Sequence, residues 1–303
     1  MDYESLSQKA HYIEVRARSL AEGMRSGNFR SLYRGQGIEM ATVRDYIRGD
    51  DIRAIDWNVT ARMGKPYVKV FEEQRELQIF LIVDKSLSMM VKNNGKSKYD
   101  SAVDAAALLS FAAEINECPL GAVFFDGKIN FALAPSPGRE QTMLILSHLE
   151  KRNQIQSEDG FFEAETKTPG SALDAALNGA GKRLKKRSLV FIFSDFRTTG
   201  FEKSLGILAH KNDVVAVRLT DSADEKLPPV GTFTFVDAET GVKKIYPSSS
   251  REFQKAWKTD FEKRTKAFDD FCKKHNVTNL SLNTNEDPLL VLNRVFDSKT
   301  FGN

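Results

Sequence analysis

Asp84, Ser86 and Ser88 put one carboxylate and two hydroxyls on alternate positions of the stretch Asp84-Lys85-Ser86-Leu87-Ser88. Hard oxygen atoms packed this closely suit magnesium, which favours octahedral oxygen ligation and tends to keep several waters. Another divalent cation such as manganese or calcium could use the same atoms. Two further loops can complete such a site. Ser171, in Gly170-Ser171-Ala172-Leu173, offers a hydroxyl at the start of a helix, although Thr166 and Thr168 are close enough in sequence to supply it instead. Asp195, in Ser194-Asp195, adds a second carboxylate. Two carboxylates and three hydroxyls do not fill a rigid cage, so a coordination position remains for an acidic side chain from a protein partner. The competing reading makes Asp84 and the two serines caps for the turn that follows.

The elements around these residues put them where ligands bind. Leu77 to Val83 is an almost unbroken apolar run, as expected for a strand covered on both faces. Leu189 to Phe193 is a second. In an open parallel sheet ligands sit beyond the carboxyl ends of the strands, where Asp84 and Asp195 both fall. Between and after these strands the pattern alternates. Helices are predicted over 99–115, 139–152, 171–186, 201–210, 251–275 and 287–296, and further strands over 120–125, 129–133, 214–219 and 277–282. Alanines at 102, 105, 106, 107, 112 and 113 let the first of these helices lie close to the sheet. Asp126-Gly127 marks a hairpin. The rhythm implies an α/β fold, a mostly parallel sheet with helices on both faces. A β-hairpin insertion near 224–247 interrupts it.

Residues 1–75 form a separate N-terminal lobe in this reading. An amphipathic helix to about residue 27 carries Ile13, Val15, Leu20 and Met24 as its apolar stripe. Short strands and loops rich in Gly, Arg and Asp follow to Gln74. Asp50, Asp51, Arg53, Asp56 and Arg62 read as a network of ion pairs and hydrogen bonds that docks the lobe, with Trp57 as a buried anchor. The aromatic stripe Phe253, Trp257, Phe261, Phe268 and Phe271 recurs at helical spacing and reads as core. The α/β domain then spans 76–296, with a tail at 297–303.

Enzymatic alternatives fail on particular residues. A phosphatase of the haloacid-dehalogenase type needs a second Asp two residues after its nucleophile. That position here is Ser86, which cannot transfer the proton at neutral pH. A response-regulator receiver needs an acidic pair near the end of the first strand, and Leu81-Ile82-Val83 provides none. Gly35-Gln36-Gly37 lacks the third glycine and the preceding buried strand of a dinucleotide fingerprint. Neither a P-loop nor a G-x-S-x-G elbow is present, so ATP hydrolysis must come from a partner.

Composition narrows the partners. The 44 Lys and Arg residues nearly balance 41 Asp and Glu, leaving a formal charge of +3. That is no focused basic field for nucleic acid. The dense run Lys182 to Arg187 closes a predicted helix, where cations offset the macrodipole. Cys118 and Cys272 cannot build a disulfide framework, and the four histidines form no metal motif. No apolar run approaches the ~20 residues that cross a bilayer, and the charged N-terminus is unlike a signal peptide. A soluble, cytoplasmic protein without membrane insertion is expected.

Asp84, Ser86 and Ser88, a hydroxyl before a helix, and Asp195 after a strand together resemble the metal-ion-dependent adhesion site of von Willebrand factor A domains. The resemblance implies a three-layer α/β/α domain of Rossmann-like build. It also implies Asp84, Ser86, Ser88, Ser171 and Asp195 as magnesium ligands, with Ser171 standing where the family usually has Thr. A second resemblance covers about Gly35 to Phe296. It rests on Gly35-Gln36-Gly37-Ile38-Glu39, Arg44-Asp45-Tyr46, Gly49 to Trp57 and Thr60-Ala61-Arg62, and also on Leu227 to Tyr246 and Leu282-Asn283-Thr284. These look like the family called domain of unknown function fifty-eight. Its members carry an A-like domain, are commonly associated with MoxR-type AAA+ ATPases, and in some cases are implicated in stress tolerance or protein maturation. The implied role is a non-enzymatic adaptor; the alternatives are a magnesium-dependent phosphoryl-transfer hydrolase with Asp84 as nucleophile and a metal-independent structural interaction protein.

Overall fold

The computed structural model describes residues 3–25, 34–74, 77–93, 95–151, 171–229, 231–236 and 243–297. The chain opens with α1 (Tyr3–Arg25), then β1 (Arg34–Asp45), a 3-10 turn (Ile52–Ala54), α2 (Trp57–Met63) and β2 (Tyr67–Gln74). The first half of the sheet region contains β3 (Ile79–Asp84), α3 (Leu87–Met90), β4 (Lys92–Asn93), β5 (Lys96–Ser97), α4 (Lys98–Ile115), β6 (Leu120–Phe125), β7 (Ile129–Ser136) and α5 (Arg139–Glu150). Next come α6 (Ser171–Arg183), β8 (Leu189–Ser194), α7 (Glu202–Lys211), β9 (Asp213–Thr220) and α8 (Ser222–Glu225). The chain closes with β10 (Thr232–Val236), β11 (Lys243–Pro247), α9 (Arg251–Lys274), β12 (Thr278–Asn283) and α10 (Pro288–Asp297).

Six strands form one sheet in the order β12-β9-β8-β3-β6-β7. All neighbours are parallel except β7, which returns antiparallel on β6. The sheet is therefore mixed and mostly parallel, as the buried apolar runs imply, and the fold is of the Rossmann-like von Willebrand A type. Every residue of β3, β6 and β8 is buried. Alternation then sorts side chains between layers. Ile79, Leu81 and Val83 join α1, α4, α5 and α10 on one face, whereas Phe80 and Ile82 join α6, α7 and the end of α9 on the other. At Gly121 in β6 a Cβ would lie 2.7 Å from the Phe80 ring and 2.9 Å from Pro135, so only glycine fits between them.

Helix α1 packs across α4 and α10 rather than against the β1–β2 ribbon. Its buried positions are Ala17, Leu20, Ala21 and Met24, spaced i, i+3, i+4, i+7. Val15, expected in the stripe, is 51% exposed because it falls outside that spacing. The cover explains the alanines of α4. That helix buries Ala102, Ala105, Ala106, Ala112 and Ala113 together with Lys98 and Tyr99, because it lies between the sheet and α1. At the end of the α1–α10 contact Arg16 forks onto both oxygens of Asp287, each at 2.5 Å.

The ribbon β1–β2 is antiparallel and longer than the short strands expected for this region. Its polar residues bond inside the lobe. Arg44 pairs with both oxygens of Asp50 at 2.6 and 2.8 Å. Asp51 caps the 3-10 turn and Asp56 caps α2. Trp57 is not a buried anchor. It starts a seven-residue helix with no buried side chain and is itself 67% exposed. The aromatic stripe of α9 is only half-buried, and Cys272 is that helix's buried residue, because α9 covers one side of the sheet rather than entering its core. The hairpin of β10 and β11 forms within the predicted insertion. Among the described residues no helix is long and apolar enough to cross a membrane.

Candidate functional site

The sheet order reverses direction at β3. The chain builds outward through β6 and β7 on one side, then resumes on the other with β8 and β9. The crevice between β3 and β8, at their carboxyl ends, is the topological switch point at which such folds bind ligands. Asp84 is the last residue of β3, and Asp195 is the first after β8. Val83 pairs with Phe193 in the ladder, so the two carboxylates leave adjacent strands at nearly the same level.

The loop after β3 folds back on its own carboxylate. The Ser86 amide donates to Asp84 Oδ1 at 2.9 Å, and Ser86 then starts the short helix α3. That turn brings the hydroxyls of Ser86 and Ser88 within 3.1 Å of each other. From the neighbouring strand Ser194 Oγ donates to Asp84 Oδ2 at 2.6 Å, and it accepts the Phe196 amide at 3.1 Å. Phe196 holds φ at +50°, a left-handed conformation that costs a residue with a side chain on the order of 1 kcal/mol. The turn that presents Asp195 is thus strained, and Ser194 and the Arg197 amide, which donates to Asp195 Oδ1 at 3.2 Å, hold it.

Asp84 is only 4% exposed. Burial, reinforced by the negative charge of Asp195, pushes its carboxyl up to about 7 against the opposing hydrogen bonds from Ser194 and Ser86. Asp195, 8% exposed, has more company. Lys98 Nζ lies 3.5 Å from its Oδ2 and 2.9 Å from Asp224 Oδ2, and Arg197 pairs with Asp195 at 3.8 Å and with Asp224 more closely. A buried row therefore runs from Asp84 through Asp195 to Asp224, with its two cations at the far end. Among the described residues, the Asp84 end of the row lacks a positive partner.

Of the sequence-predicted residues, Asp84, Ser86 and Ser88 come together and Asp195 stands beside them. Ser171 begins α6, but its side chain lies outside the described residues, as do Thr166 and Thr168. Among the described residues no group of three or more His, Cys, Asp or Glu side chains could hold a metal. Hydroxyls and water would have to complete any coordination sphere here. The donor set fits a hard cation on one observation: two hydroxyls converge beside a buried carboxylate whose charge no cation among the described residues offsets.

A family model described as a protein of unknown function, DUF58, matches residues 42–267. The chain belongs to this family. The DUF58 match runs from within β1 to within α9, so it takes in the ribbon as well as the sheet and includes all five predicted site residues. An uncharacterized protein of Mycobacterium tuberculosis and another of Mycobacterium bovis are each 29% identical over 260 residues, covering 84% of this chain and 79% of theirs. An aerotolerance-related membrane protein from Bacteroides fragilis aligns with a TM-score of 0.47 at 14% identity, over 74% of this chain and 98% of that one.

Four residues around this candidate site escaped the sequence reading as site residues: Lys98, Ser194, Arg197 and Asp224. Lys98 carried a usable signal. A lysine in the first turn of a helix opposes the macrodipole and needs a reason to be there. Ser194 stood beside a chosen Asp, just past the predicted strand, and the structure makes it the last residue of β8. Arg197 and Asp224 had no local signal, because the turn after β8 and the capping box of α8 bring them together.

Proposed function

We propose that this DUF58 chain is a non-enzymatic protein-binding module whose docking point is a bound divalent cation. Asp84, Ser86 and Ser88 would hold it, Ser171 would add a third hydroxyl, and Asp195 would supply the second negative charge. Magnesium is the first candidate, since it accepts a few protein oxygens and keeps water on its remaining positions. Manganese or calcium is the alternative. When bound, the cation offers a position that an acidic side chain of a partner can take. The chain's own residues orient that exchange: Ser86 and Ser194 fix the Asp84 carboxylate, and Lys98 with Arg197 hold Asp195 in place.

The observation that carries this reading is the hydroxyl pair of Ser86 and Ser88, 3.1 Å apart beside the buried Asp84 at the switch point. A structural cap would not need both hydroxyls turned toward each other, and Ser86 makes no side-chain cap on α3. Family membership supports a MoxR-type AAA+ ATPase as the partner, in protein maturation or stress response. A cytoplasmic location belongs to the same proposal, because such an ATPase draws on cytoplasmic nucleotide.

Isothermal titration of magnesium into wild-type and Asp84→Ala protein tests the site. Binding by the wild type that the variant loses is the expected result, and equal weak binding by both would remove its basis. Affinity capture with magnesium and with chelator tests the role: an ATPase partner retained only with magnesium supports it. Turnover of a phosphate ester that Asp84→Asn abolishes would replace the adaptor with a hydrolase using Asp84 as nucleophile.

A further inference from the structure

Charge is nearly balanced over the whole chain, but the fold sorts it. Helices α6, α7 and α9 lie on one face of the sheet and lead into the adjacent parallel strands β8, β9 and β12. All three therefore end at the amino edge of the sheet, opposite the edge that carries Asp84. Their last turns hold Lys182 and Arg183, His210 and Lys211, and Lys273 and Lys274. The link from α6 to β8 adds Lys185, Lys186 and Arg187, all exposed. Acids on the same stretches are held or lie farther back. Asp213 pairs with Arg187 at 2.5 Å, Asp269 accepts from the Asn279 side chain, and Asp270 stands one turn before Lys274.

An open groove of about 470 Å³ runs between α7 and the end of α9 toward this edge. Gly206, Ile207 and Phe271 give its apolar surface, and Lys203, His210, Lys211 and His275 also line it. A Cβ on Gly206 would lie 3.1 Å from His275 Nδ1, so glycine lets that ring lie across α7, its centre 4.4 Å from that of Phe271. Ile207 is left 50% exposed. Among the described residues Lys203 and Lys211 have no ion pair. Glu202, at the far end of α7, accepts the Gly200 amide at 2.9 Å. A basic last turn offsets the negative end of a helix, which accounts for a cation or two on each. It does not account for Lys203, in the first turn of α7 where the macrodipole disfavours a cation, nor for the uncovered groove beside it. Exposed apolar surface bordered by one sign of charge suits a partner of the other sign. Shape then selects the partner. Membrane anchoring needs apolar side chains that protrude, and a phosphate backbone needs no apolar recess, whereas a groove receives an inserted side chain.

We propose that the α7–α9 groove docks an acidic protein segment that inserts a large apolar side chain, at the edge of the sheet opposite the Asp84 site. Gly206, Ile207 and Phe271 receive that side chain, and Lys203, Lys211 and the basic helix ends face the carboxylates that flank it. The groove needs no divalent cation, so it stands apart from the function proposed for the Asp84 loop.

The test uses the full chain in metal-free buffer and follows the Ile207 Cδ1 methyl resonance, assigned by its loss in Ile207→Val. The probe is a capped Glu-Glu-Phe-Leu-Glu-Glu peptide, with Glu-Glu-Ala-Ala-Glu-Glu and Lys-Lys-Phe-Leu-Lys-Lys as controls. A saturable shift with a dissociation constant on the order of 1 mM is expected for the probe, with about tenfold weaker binding of the alanine peptide and none of the lysine peptide. Affinity falls as salt is raised. Lys203→Glu combined with Lys211→Glu weakens binding about tenfold, and the milder Lys203→Gln gives a smaller loss in the same direction. Asp84→Ala leaves the shift unchanged, so failure of the magnesium site leaves this result standing. No shift, an equal shift with either control peptide, or binding untouched by the double reversal overturns the proposal. So does single-stranded DNA, or a phosphatidylglycerol vesicle, that shifts Ile207 at a lower concentration than the probe needs, since the edge would then serve nucleic acid or lipid.

Discussion

Lys98 Nζ sits 2.9 Å from Asp224 and 3.5 Å from Asp195, with under a tenth of its side chain exposed. Removing one member of a buried charged group costs more than the group contributes, because the others stay desolvated and unpaired. Lys98→Met is therefore expected to lower unfolding stability by about 3 kcal/mol in metal-free buffer. Magnesium should restore part of that loss, since a dication can take over the uncompensated charge of Asp195. Urea unfolding with and without magnesium measures both. An unchanged midpoint would mean that Lys98 is solvated and the row of charges is not coupled.

Asp84 works against the fold that holds it. Its carboxyl rests near 7 in the native state and near 3.8 when exposed, so between those values the native protein binds the extra proton. Stability then falls as pH rises through that window and levels off above it. Asp84→Asn keeps the shape and removes the charge. In metal-free buffer at pH 8 it should be more stable than wild type by about 2 kcal/mol, with little difference at pH 4. Thermal melts from pH 4 to 8 read this directly. A variant less stable than wild type at pH 8 would show that the Asp84 charge is already compensated.

The contact of α1 with α10 separates packing from charge. Leu20 is fully buried against the core, and truncation to Ala should cost about 3 kcal/mol. Arg16 pairs with Asp287 at a site where the Asp287 side chain is 39% exposed, so screening reduces the pair's worth and Arg16→Ala should cost under about 1 kcal/mol. Burial raises the Asp287 carboxyl, but the Arg16 fork and the Leu289 amide together bring it below its ordinary value. Its contribution is accordingly present above pH 4 and lost as pH falls through the depressed native value. Urea midpoints of the two variants at pH 7 and pH 3 test the ranking.

How much of this was legible in the sequence follows from how local each cause is. Strands β3 and β8 announced themselves as apolar runs, and Asp84 and Asp195 followed from their carboxyl ends. The partners of α1 could not be read, because an amphipathic stripe shows that a face is buried but not what covers it. Trp57 misled for a related reason: large aromatics are usually buried, yet a two-turn helix at the edge of a ribbon has nothing to bury it under. What the sequence carried was the chemistry of one loop and the strand that aims it. The cations around that loop depended on register.

Lys85 lies between two of the proposed ligands and points away from them. Its ammonium donates to the carbonyls of Lys151 at 2.6 Å and His148 at 3.2 Å, while Tyr99 donates to Leu149 at 2.6 Å. The end of α5 would otherwise leave these carbonyls unsatisfied, and a cation there also offsets the helix macrodipole. Lys85 is thus a strut that ties the Asp84 loop to a neighbouring helix. Lys85→Met retains the buried stem and removes the donors, so it should destabilise the protein by about 2 kcal/mol. Tyr99→Phe, which loses one neutral bond, should cost about 1 kcal/mol. The oxygens of Asp84, Ser86 and Ser88 remain in both variants, so magnesium affinity measured by titration at 10 °C should change by less than about threefold, well under the loss of one charged contact. Lost magnesium binding at unchanged stability would instead make Lys85 part of the site.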